Sequence, residues 1–349
     1  MPRFSLPSAL IASTLGLAIA ASGAPAQAAT VHTVSPGADL KVALEKLGPG
    51  DTLQLNPGTY DIGFLRGYVR RGTAKAPITV RAANPAQPPL LRGAVKLFDI
   101  DYWQISGIRV QATEKGKEAL YIGGGKGWTV SNSEFFGARA TNAYSNVTIA
   151  GNNPENAKSN PAASPSGFRF FSNCVHDAAK STRAATDHNI YVNFLGGRGT
   201  GGRIDHNTVY GHPNGAGIKL GDGGATNALG PWGVRVDANT VADGGRQILL
   251  HGNVRNNVIA GNLLGRSTTK FTKSPKTTAI YVNKVTTRTN QIANNYTYES
   301  SMISYDTERK LVVKAGNKLG AKPKMNSIGS CAAYKVPGAK HGRWGTGRF

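Results

Sequence analysis

The sequence is poor in acidic residues, in long apolar runs and in segments that favour a helix. Aspartate and glutamate number 19 in 349 residues, against 41 lysines and arginines, which gives a formal net charge of +22. After residue 28 no apolar run approaches the length of a transmembrane helix, so we expect no membrane anchor in the exported chain. Helix-forming residues cluster only at 39–47, where Leu40, Leu44 and Leu47 share one face. We therefore expect an all-β fold with one short helix that caps its N-terminal end.

Residues 1–28 have the composition of a secretory signal peptide. Arg3 supplies positive charge, residues 9–21 form an apolar segment too short to span a bilayer, and Ala26-Gln-Ala28 has the small residues of a cleavage site. We therefore expect a secreted, extracellular protein.

The exported part is expected to form one domain over 29–320, followed by a basic tail over 321–349 that wraps or caps it. Two cysteines lie in this part, Cys174 and Cys331. A disulfide between them is plausible in an oxidising compartment and would hold the tail against the domain, whereas two free thiols are the alternative. We expect the protein to be a monomer.

A short strand-like pattern recurs along the chain, with an apolar second residue and an asparagine at the fifth. Its copies are between 23 residues (Asn239 to Asn262) and 41 residues (Asn132 to Asn173) apart. A short minimum separation between copies, lengthened in places by inserts, is typical of a coil of stacked strands. The longest inserts are expected at 138–167 and 266–277. An all-β sandwich with asparagine turns is the alternative, but sandwiches do not repeat one register in this way. The copies end at Asn132, Asn173, Asn207, Asn239, Asn262 and Asn295, and a seventh would end at Gly107.

A second, three-residue pattern lies between these copies. It has one apolar residue on each side of a variable residue. Because side chains alternate faces along a strand, the apolar residues would point inward and the variable residue outward. Stacking of the coil would align the outward residues in one row, and would let the asparagines hydrogen-bond each other in a ladder. The predicted row consists of Tyr121, Tyr191, Lys219, Leu249, Tyr281 and Ser304.

The excess of positive charge indicates a polyanionic partner. Acidic polysaccharide, teichoic acid or other cell-wall phosphate, and nucleic acid all fit the charge. We find no nucleic-acid-binding motif with interleaved aromatic residues, which disfavours nucleic acid. A general role of the charge in solubility, or in loose adhesion to a negative cell wall, is the alternative.

The predicted row and its neighbours combine side chains with different chemistry. Each alone fits a structural role, such as a β-forming tyrosine or a solvated lysine, but their convergence favours a functional site. We predict as catalytic Lys219, Arg246, Tyr191, His188 and His251. The predicted substrate-binding residues, which would stack on sugars or pair with their carboxylates, are Tyr121, Arg183, Asp187, Tyr281 and Lys284.

A repeated Arg-apolar-Asp segment is interpreted differently. It occurs as Arg203 to Asp205 and again as Arg235 to Asp237. Its recurrence on neighbouring strands predicts a lattice of surface salt bridges rather than a site.

Three segments carry a resemblance to a known family: Gly48-Pro-Gly-Asp-Thr-Leu-Gln-Leu-Asn-Pro-Gly-Thr-Tyr60, then Gly72-Thr-Ala-Lys-Ala-Pro-Ile-Thr-Val-Arg81, then Leu91-Arg-Gly93. In this order they resemble the right-handed parallel β-helix superfamily of the pectate lyases, and within it the branch of chondroitinase B and the alginate lyases. The resemblance implies a single-domain parallel β-helix. It does not decide the activity, since the superfamily also contains glycoside hydrolases, epimerases, esterases and phage adhesins.

The residues near the row disfavour some of these chemistries. Glycoside hydrolysis needs two carboxylates beside the bond, and only Asp187 and Asp222 lie near the row. β-Elimination beside a uronate carboxylate needs a positive group, a base and an acid. Calcium could neutralise the carboxylate but is not favoured, because acidic residues are scarce. Lys219 and Arg246 would supply the charge instead.

The roles within the site stay open at this stage. The resemblance implies lysine as the base with arginine assisting, which would fall to Lys219 and Arg246. Alternatively, His188 or His251 would be the base and Tyr191 the acid, with Asp187 holding His188 in one tautomer. We predict a metal-independent and cofactor-independent lyase acting on a uronate-containing polysaccharide. The alternatives are a uronate epimerase, a glycoside hydrolase, or a non-catalytic protein that binds a glycan or the cell wall.

Overall fold

The computed structural model shows parallel β-strands and a single helix over the residues it describes. The predicted signal peptide and most of the predicted tail lie outside those residues, so their roles stay predictions. Among the described residues no helix is long and apolar enough to cross a membrane. The structure describes residues 29–138, 145–151, 164–178, 187–193, 200–221, 230–267, 277–320 and 331.

One sheet, which we call the first wall, has eleven strands that pair in parallel in chain order. Its strands are β1 (Val31–Val34), β2 (Thr52–Leu55), β4 (Ile78–Ala82), β6 (Trp103–Ser106), β9 (Thr129–Ser131), β12 (Phe168–Phe171), β15 (Thr200–Asp205), β18 (Trp232–Asp237), β20 (Val258–Ala260), β23 (Asn290–Ala293) and β26 (Leu311–Val313).

The remaining sixteen strands belong to one continuous sheet, which is also parallel. They are β3 (Thr59–Tyr68), β5 (Leu90–Phe98), β7 (Arg109–Ala112), β8 (Leu120–Gly123), β10 (Glu134–Phe136), β11 (Ser145–Ala150), β13 (Cys174–His176), β14 (His188–Asn193), β16 (Thr208–Tyr210), β17 (His212–Leu220), β19 (Thr240–His251), β21 (Leu263–Ser267), β22 (Thr278–Asn283), β24 (Tyr296–Tyr298), β25 (Met302–Asp306) and β27 (Lys318–Leu319).

Long strands divide this second sheet into two further walls. The first half of β5 pairs with β7 and its second half with β8, and β19 likewise pairs with β21 and then with β22. The side of β7, β10, β13, β16, β21, β24 and β27 is the second wall, and the side of β8, β11, β14, β22 and β25 is the third. Each turn of the coil contributes one strand to each of the three walls. This arrangement is the parallel β-helix that the sequence pattern predicts.

The space between the walls is filled by the apolar residues of the two patterns. Val130 of β9 stacks on Phe170 of β12, and Phe170 on Ile204 of β15. All three are fully buried in one continuous hydrophobic cluster. Each such side chain contributes roughly 1.5–3 kcal/mol by burial. Because apolar side chains line the interior, a site for a polar ligand is sought on the outer faces.

A buried asparagine ladder runs along the corner after the first wall, as predicted. From Asn207 onward, each amide oxygen accepts hydrogen bonds from the backbone and side-chain N–H groups of the asparagine one turn earlier, at 2.9–3.2 Å. Buried polar groups need such partners, so the ladder both satisfies the turns and fixes the register. Its members are Asn173, Asn207, Asn239, Asn262, Asn295 and Asn317.

Two predicted members of the ladder are wrong by one residue. Asn132 is exposed, and Ser133 takes its place by donating its backbone N–H to Asn173 at 3.1 Å. One turn earlier Ile108 donates its N–H to the Ser133 hydroxyl, so Gly107 is also displaced from the predicted position. The inward residue of β9 is Val130 and not the preceding threonine, which moves the corner one residue further along.

The predicted helix is α1 (Leu40–Lys46). Asp39 caps it by accepting hydrogen bonds from the backbone N–H groups of Lys41 and Val42, at 2.9 and 3.1 Å. Leu40 and Leu44 are buried in the core beside the first strands. Its predicted role in covering the first turn of the coil stays a prediction.

The predicted insert at 138–167 contains a strand that the sequence analysis missed. This strand, β11, pairs with β8 and β14 in the third wall. Its Val147-Thr148-Ile149 core has the same apolar-variable-apolar pattern as its neighbours, with Val147 and Ile149 fully buried. The predicted insert is therefore interrupted by a strand.

The structure answers the question that the sequence left open about the two cysteines, and the predicted salt-bridge lattice is confirmed. Cys174 and Cys331 form a disulfide, which fixes residue 331 to the outer face of the second wall. On the first wall Arg203 pairs with Asp237 at 2.6 Å, and Arg169 pairs with the buried Asp205 at 2.7 Å. Each arginine reaches the aspartate one turn further on, which makes a salt-bridge lattice.

Candidate functional site

The predicted row lies on the outer face of the third wall. Tyr191 on β14 pairs with Lys219 on β17. Lys219 pairs with Leu249 on β19, and Leu249 with Tyr281 on β22. The residues flanking each member along its strand are fully buried in the core, so the members themselves point outward. Neighbouring members are one strand spacing apart, about 4.8 Å.

The last predicted member of the row is wrong. Ser304 pairs with Ile280 and continues the inward column, whereas Tyr305 pairs with Tyr281. The two tyrosine rings stack with centroids 5.8 Å apart and planes within 8°. The Ile-Ser-Tyr segment looked like the other copies, but its register is shifted by one residue.

The row also extends further toward the N-terminal end than predicted. Tyr121 pairs with Thr148 on one side and with Lys96 on the other, and Lys96 pairs with Arg66. Val95-Lys96-Leu97 has the same three-residue pattern as the predicted copies, so the sequence carried the signal. In the structure the Lys96 ammonium lies 3.9 Å from the centroid of the Tyr121 ring.

His188 lies beside the row and is fully buried at the start of β14. Its Nδ1 accepts a hydrogen bond from the backbone N–H of Ala216 at 2.9 Å, so Nε2 carries the proton. A backbone amide of β17 therefore sets the tautomer, and not the Asp187 carboxylate as predicted. Burial, with the positive charges of Lys219 and Arg246, lowers the pKa of His188 well below 6.5, so the ring is neutral. With its lone pair engaged by Ala216, the ring presents its Nε2–H as a hydrogen-bond donor.

Tyr191 lies between His188 and Lys219. Its ring centroid is 5.7 Å from that of His188 and 4.4 Å from the Lys219 ammonium, which sits over the ring face. Although Tyr191 points outward, it is only 6% exposed. A cation over a shielded ring is held in place, and the phenol, the ammonium and the imidazole are brought into one cluster.

Arg246 enters the same region because β17 and β19 are bent where they pass from the second wall to the third. Ala216 pairs with Arg246, next to an irregularity in the register of the two strands. The guanidinium lies 4.7 Å from the centroid of the Tyr281 ring. Burial lowers the pKa of Arg246 to about 10 and raises that of Tyr281, so at neutral pH the first is charged and the second neutral. A partly desolvated guanidinium is a strong site for a carboxylate.

The other predicted residues surround this cluster less closely. His251 ends β19, and its Nε2 is 3.4 Å from the Nδ2 of Asn283 on the next strand. Lys284 follows β22 and is exposed. Arg183 and Asp222 lie outside the described residues, so their predicted places are not tested.

Glycine lets the backbone come close enough to form the site. A Cβ on Gly215 would lie 1.5 Å from the carbonyl oxygen of Asp187, so any other residue would push β17 away from His188. Gly221 has a φ of +92°, and its Cβ would lie 2.0 Å from the carbonyl oxygen of His251. The hydrogen bond to His188 therefore depends on glycine at 215.

A second cluster of titratable residues lies on the second wall, away from the row. His176 contacts Glu134 through Nε2 and Asp177 through Nδ1, each at 2.9 Å, and its ring stacks on Tyr210 at 4.8 Å. Burial lowers the pKa of His176, but the two carboxylates together outweigh it and raise the pKa above its usual value.

This cluster also contains the three residues closest to a metal-binding arrangement among the described residues. They are Cys174, His176 and Cys331, whose ligand atoms lie within 4.8 Å of one another. Both sulfurs are joined in the disulfide, and both nitrogens of His176 contact carboxylates. The arrangement is therefore structural.

Comparison with solved structures finds the same fold in polysaccharide lyases. A mannuronic-acid-specific family 6 polysaccharide lyase from human gut microbiota has a TM-score of 0.50 and 17% identity, over 83% of this chain. A PL6 alginate lyase in complex with a trisaccharide has a TM-score of 0.51 and 15% identity, over 78% of this chain. The chain has the fold of these lyases. It spans 58% and 60% of their lengths.

A pectate lyase, Pel9A, is similar over 86% of this chain at a TM-score of 0.49 and 16% identity. No family model matches the sequence, and the comparison with curated proteins finds no match. The parallel β-helix fold that the resemblance implies is confirmed by the two family 6 lyase structures. At these identities it does not identify the substrate or the catalytic residues.

Proposed function

We propose that the protein is a secreted polysaccharide lyase that cleaves a uronate-containing polysaccharide by β-elimination at the third wall, without a metal. The observation that carries the proposal is the clustering of Tyr191, Lys219 and Arg246 around the neutral His188 on one outer face. The lyase fold of the solved relatives and the net charge of +22 support it.

In the proposed reaction Arg246 binds the uronate carboxylate and neutralises it, which acidifies the proton on the adjacent carbon. Lys219, as the free amine, takes this proton, and the electron pair of the broken C–H bond forms a carbon–carbon double bond. The glycosidic C–O bond to the leaving sugar breaks, and its oxygen takes a proton from the Tyr191 phenol. Solvent then returns a proton to Tyr191 and removes one from Lys219.

His188 has a supporting role in this proposal. Because its Nδ1 accepts from Ala216, its Nε2–H is left to donate to the substrate or to a neighbouring oxygen. This geometry favours Lys219 over His188 as the base. A uronate epimerase is the second candidate, since it would use the same first proton transfer and return a proton to the opposite face.

The test is incubation with a panel of uronic polymers while the absorbance of the unsaturated uronate product is recorded. We expect the absorbance to rise, and we expect Lys219→Ala and Arg246→Ala to lower kcat by about 10³-fold or more with unchanged melting. Arg81→Ala, an exposed arginine on the first wall, and Lys126→Ala, a lysine over Tyr102, are matched controls that should keep full activity.

His188→Gln separates the two assignments of the base. We expect it to keep turnover within about tenfold, since the amide can accept from Ala216 and donate outward. A loss as large as that of Lys219→Ala would move the base to His188. No rise in absorbance, together with a changed sugar configuration in the product, would favour the epimerase.

Two further arms test the rest of the proposal. We expect activity to survive a chelator, whereas loss that added calcium restores would contradict metal independence. Binding to acidic polymers without turnover would favour the non-catalytic glycan-binding alternative. N-terminal sequencing of the exported protein and its size in solution test secretion and the monomeric state.

A further inference from the structure

The row extends beyond the proposed catalytic cluster to two cations that the lyase proposal does not use. From Lys219 it passes through Tyr191, Thr148 and Tyr121 to Lys96, which is four strand spacings away. At about 4.8 Å each, these place Lys96 roughly 19 Å from Lys219 along the wall. Arg66 follows one strand further on.

At this end of the row the cations lie against aromatic rings. Lys96 lies 3.9 Å from the centroid of Tyr121 and 5.5 Å from that of Phe98, and the Arg66 guanidinium lies 5.4 Å from the same Phe98 ring. A third cation comes from the segment before β8, where Lys117 lies over Phe64 at 4.7 Å. Rings on the wall thus hold three positive groups in fixed places.

The three cations and the neighbouring Glu118 carry more positive than negative charge. Burial lowers the pKa of Lys96, and the neighbouring Arg66 and Lys117 lower it further, while Glu118 opposes them. Glu118 is itself partly buried, accepts a hydrogen bond from Thr148 at 3.4 Å, and has a pKa raised by burial. Three cations against one carboxylate repel each other in a partly desolvated place, and an incoming anion would relieve this repulsion.

We propose that Arg66, Lys96 and Lys117 form a second subsite, which binds an anionic group of the polysaccharide about four strand spacings from the catalytic cluster. The inference rests on the proposed function in one respect, namely that the same polymer lies along the row. It predicts that the protein prefers long acidic chains that reach both places and cuts them internally. Glu118 limits the affinity of this subsite for anions.

The variants that test it are Lys96→Met, which removes the charge and keeps an apolar chain over Tyr121, and Glu118→Gln, which removes the opposing charge. The matched control is Lys126→Met, since Lys126 also lies over a tyrosine, 5.7 Å from the ring of Tyr102, but lies outside the row. Affinity for polyuronate is measured by affinity electrophoresis and calorimetry, and all variants are first compared by thermal melting.

We expect Lys96→Met to weaken polymer binding about tenfold and Glu118→Gln to strengthen it about threefold, with no change for Lys126→Met. If turnover is present, Lys96→Met should raise KM for the polymer with kcat unchanged. It should not affect a trisaccharide, which is too short to reach from Lys219 to Lys96. If turnover is absent but binding still weakens in Lys96→Met, the lyase proposal is wrong and the subsite stands. Polymer affinity that is equal in Lys96→Met and Lys126→Met would overturn the subsite.

Discussion

Replacing one asparagine of the ladder measures how strongly the stacking holds the coil together. The side chain of Asn239 is fully buried, and its oxygen accepts from both the backbone N–H and the side-chain Nδ2 of Asn207. Its Nδ2 donates to the carbonyl of Ile204 at 2.8 Å and to the side-chain oxygen of Asn262 at 3.0 Å. Asn239→Ala therefore leaves four buried polar groups without this partner, together with the half-buried carbonyl of Asp237 at 3.2 Å. At about 1 kcal/mol for each lost hydrogen bond, we expect a loss of about 4 kcal/mol in the free energy of unfolding.

The assay is urea denaturation followed by circular dichroism, with Asn132→Ala as the control. Asn132 ends a copy of the same sequence pattern but is exposed and outside the ladder. Its φ of +49° favours asparagine over alanine, so its replacement should lower the free energy of unfolding by about 1 kcal/mol, well below the effect at Asn239. Because a coil of stacked turns can unfold in parts, the comparison uses the first transition of each variant. Equal effects of the two substitutions, or a loss below about 1 kcal/mol for Asn239→Ala, would refute the assignment of the ladder register.

Two further predictions concern the second wall. His176 has a raised pKa when folded, so its stabilising contribution is complete below its unfolded pKa near 6.5 and is lost as pH rises through the folded value. The pKa of its partner Glu134 is lowered by His176 and Arg109 against the effect of burial, so that contribution is present above 4.5 and is lost as pH falls. The stability difference between wild type and His176→Gln, measured by denaturation at several pH values, should therefore be largest between about pH 5 and 6.5, and a pH-independent difference would contradict it. For the disulfide, which joins residues 157 apart, we expect Cys331→Ser to lower the free energy of unfolding by about 4 kcal/mol, and no change would show that the tail contributes nothing.

Strand alternation made much of the architecture readable from the sequence. Tyr191, Lys219, Leu249 and Tyr281 could be assigned to one row because each lies between two apolar residues at the same offset. That rule failed by one residue at Asn132 and at Ser304, where a polar residue occurred next to the true corner or row position. At both places the neighbouring residue fits the local pattern nearly as well, so the pattern leaves the register open by one residue.

For Tyr191, Lys219, Leu249 and Tyr281 the sequence by itself determined which side chains form the outer row and which neighbours face the core, because a period of two is a local property of a strand. Only the tertiary structure decided the chemistry of that row. The backbone N–H of Ala216, on the neighbouring strand, fixes the tautomer of His188. A bend in β19 brings Arg246 onto the ring of Tyr281. Such contacts depend on how the walls bend and on the lengths of the connections between them, and no local pattern records these.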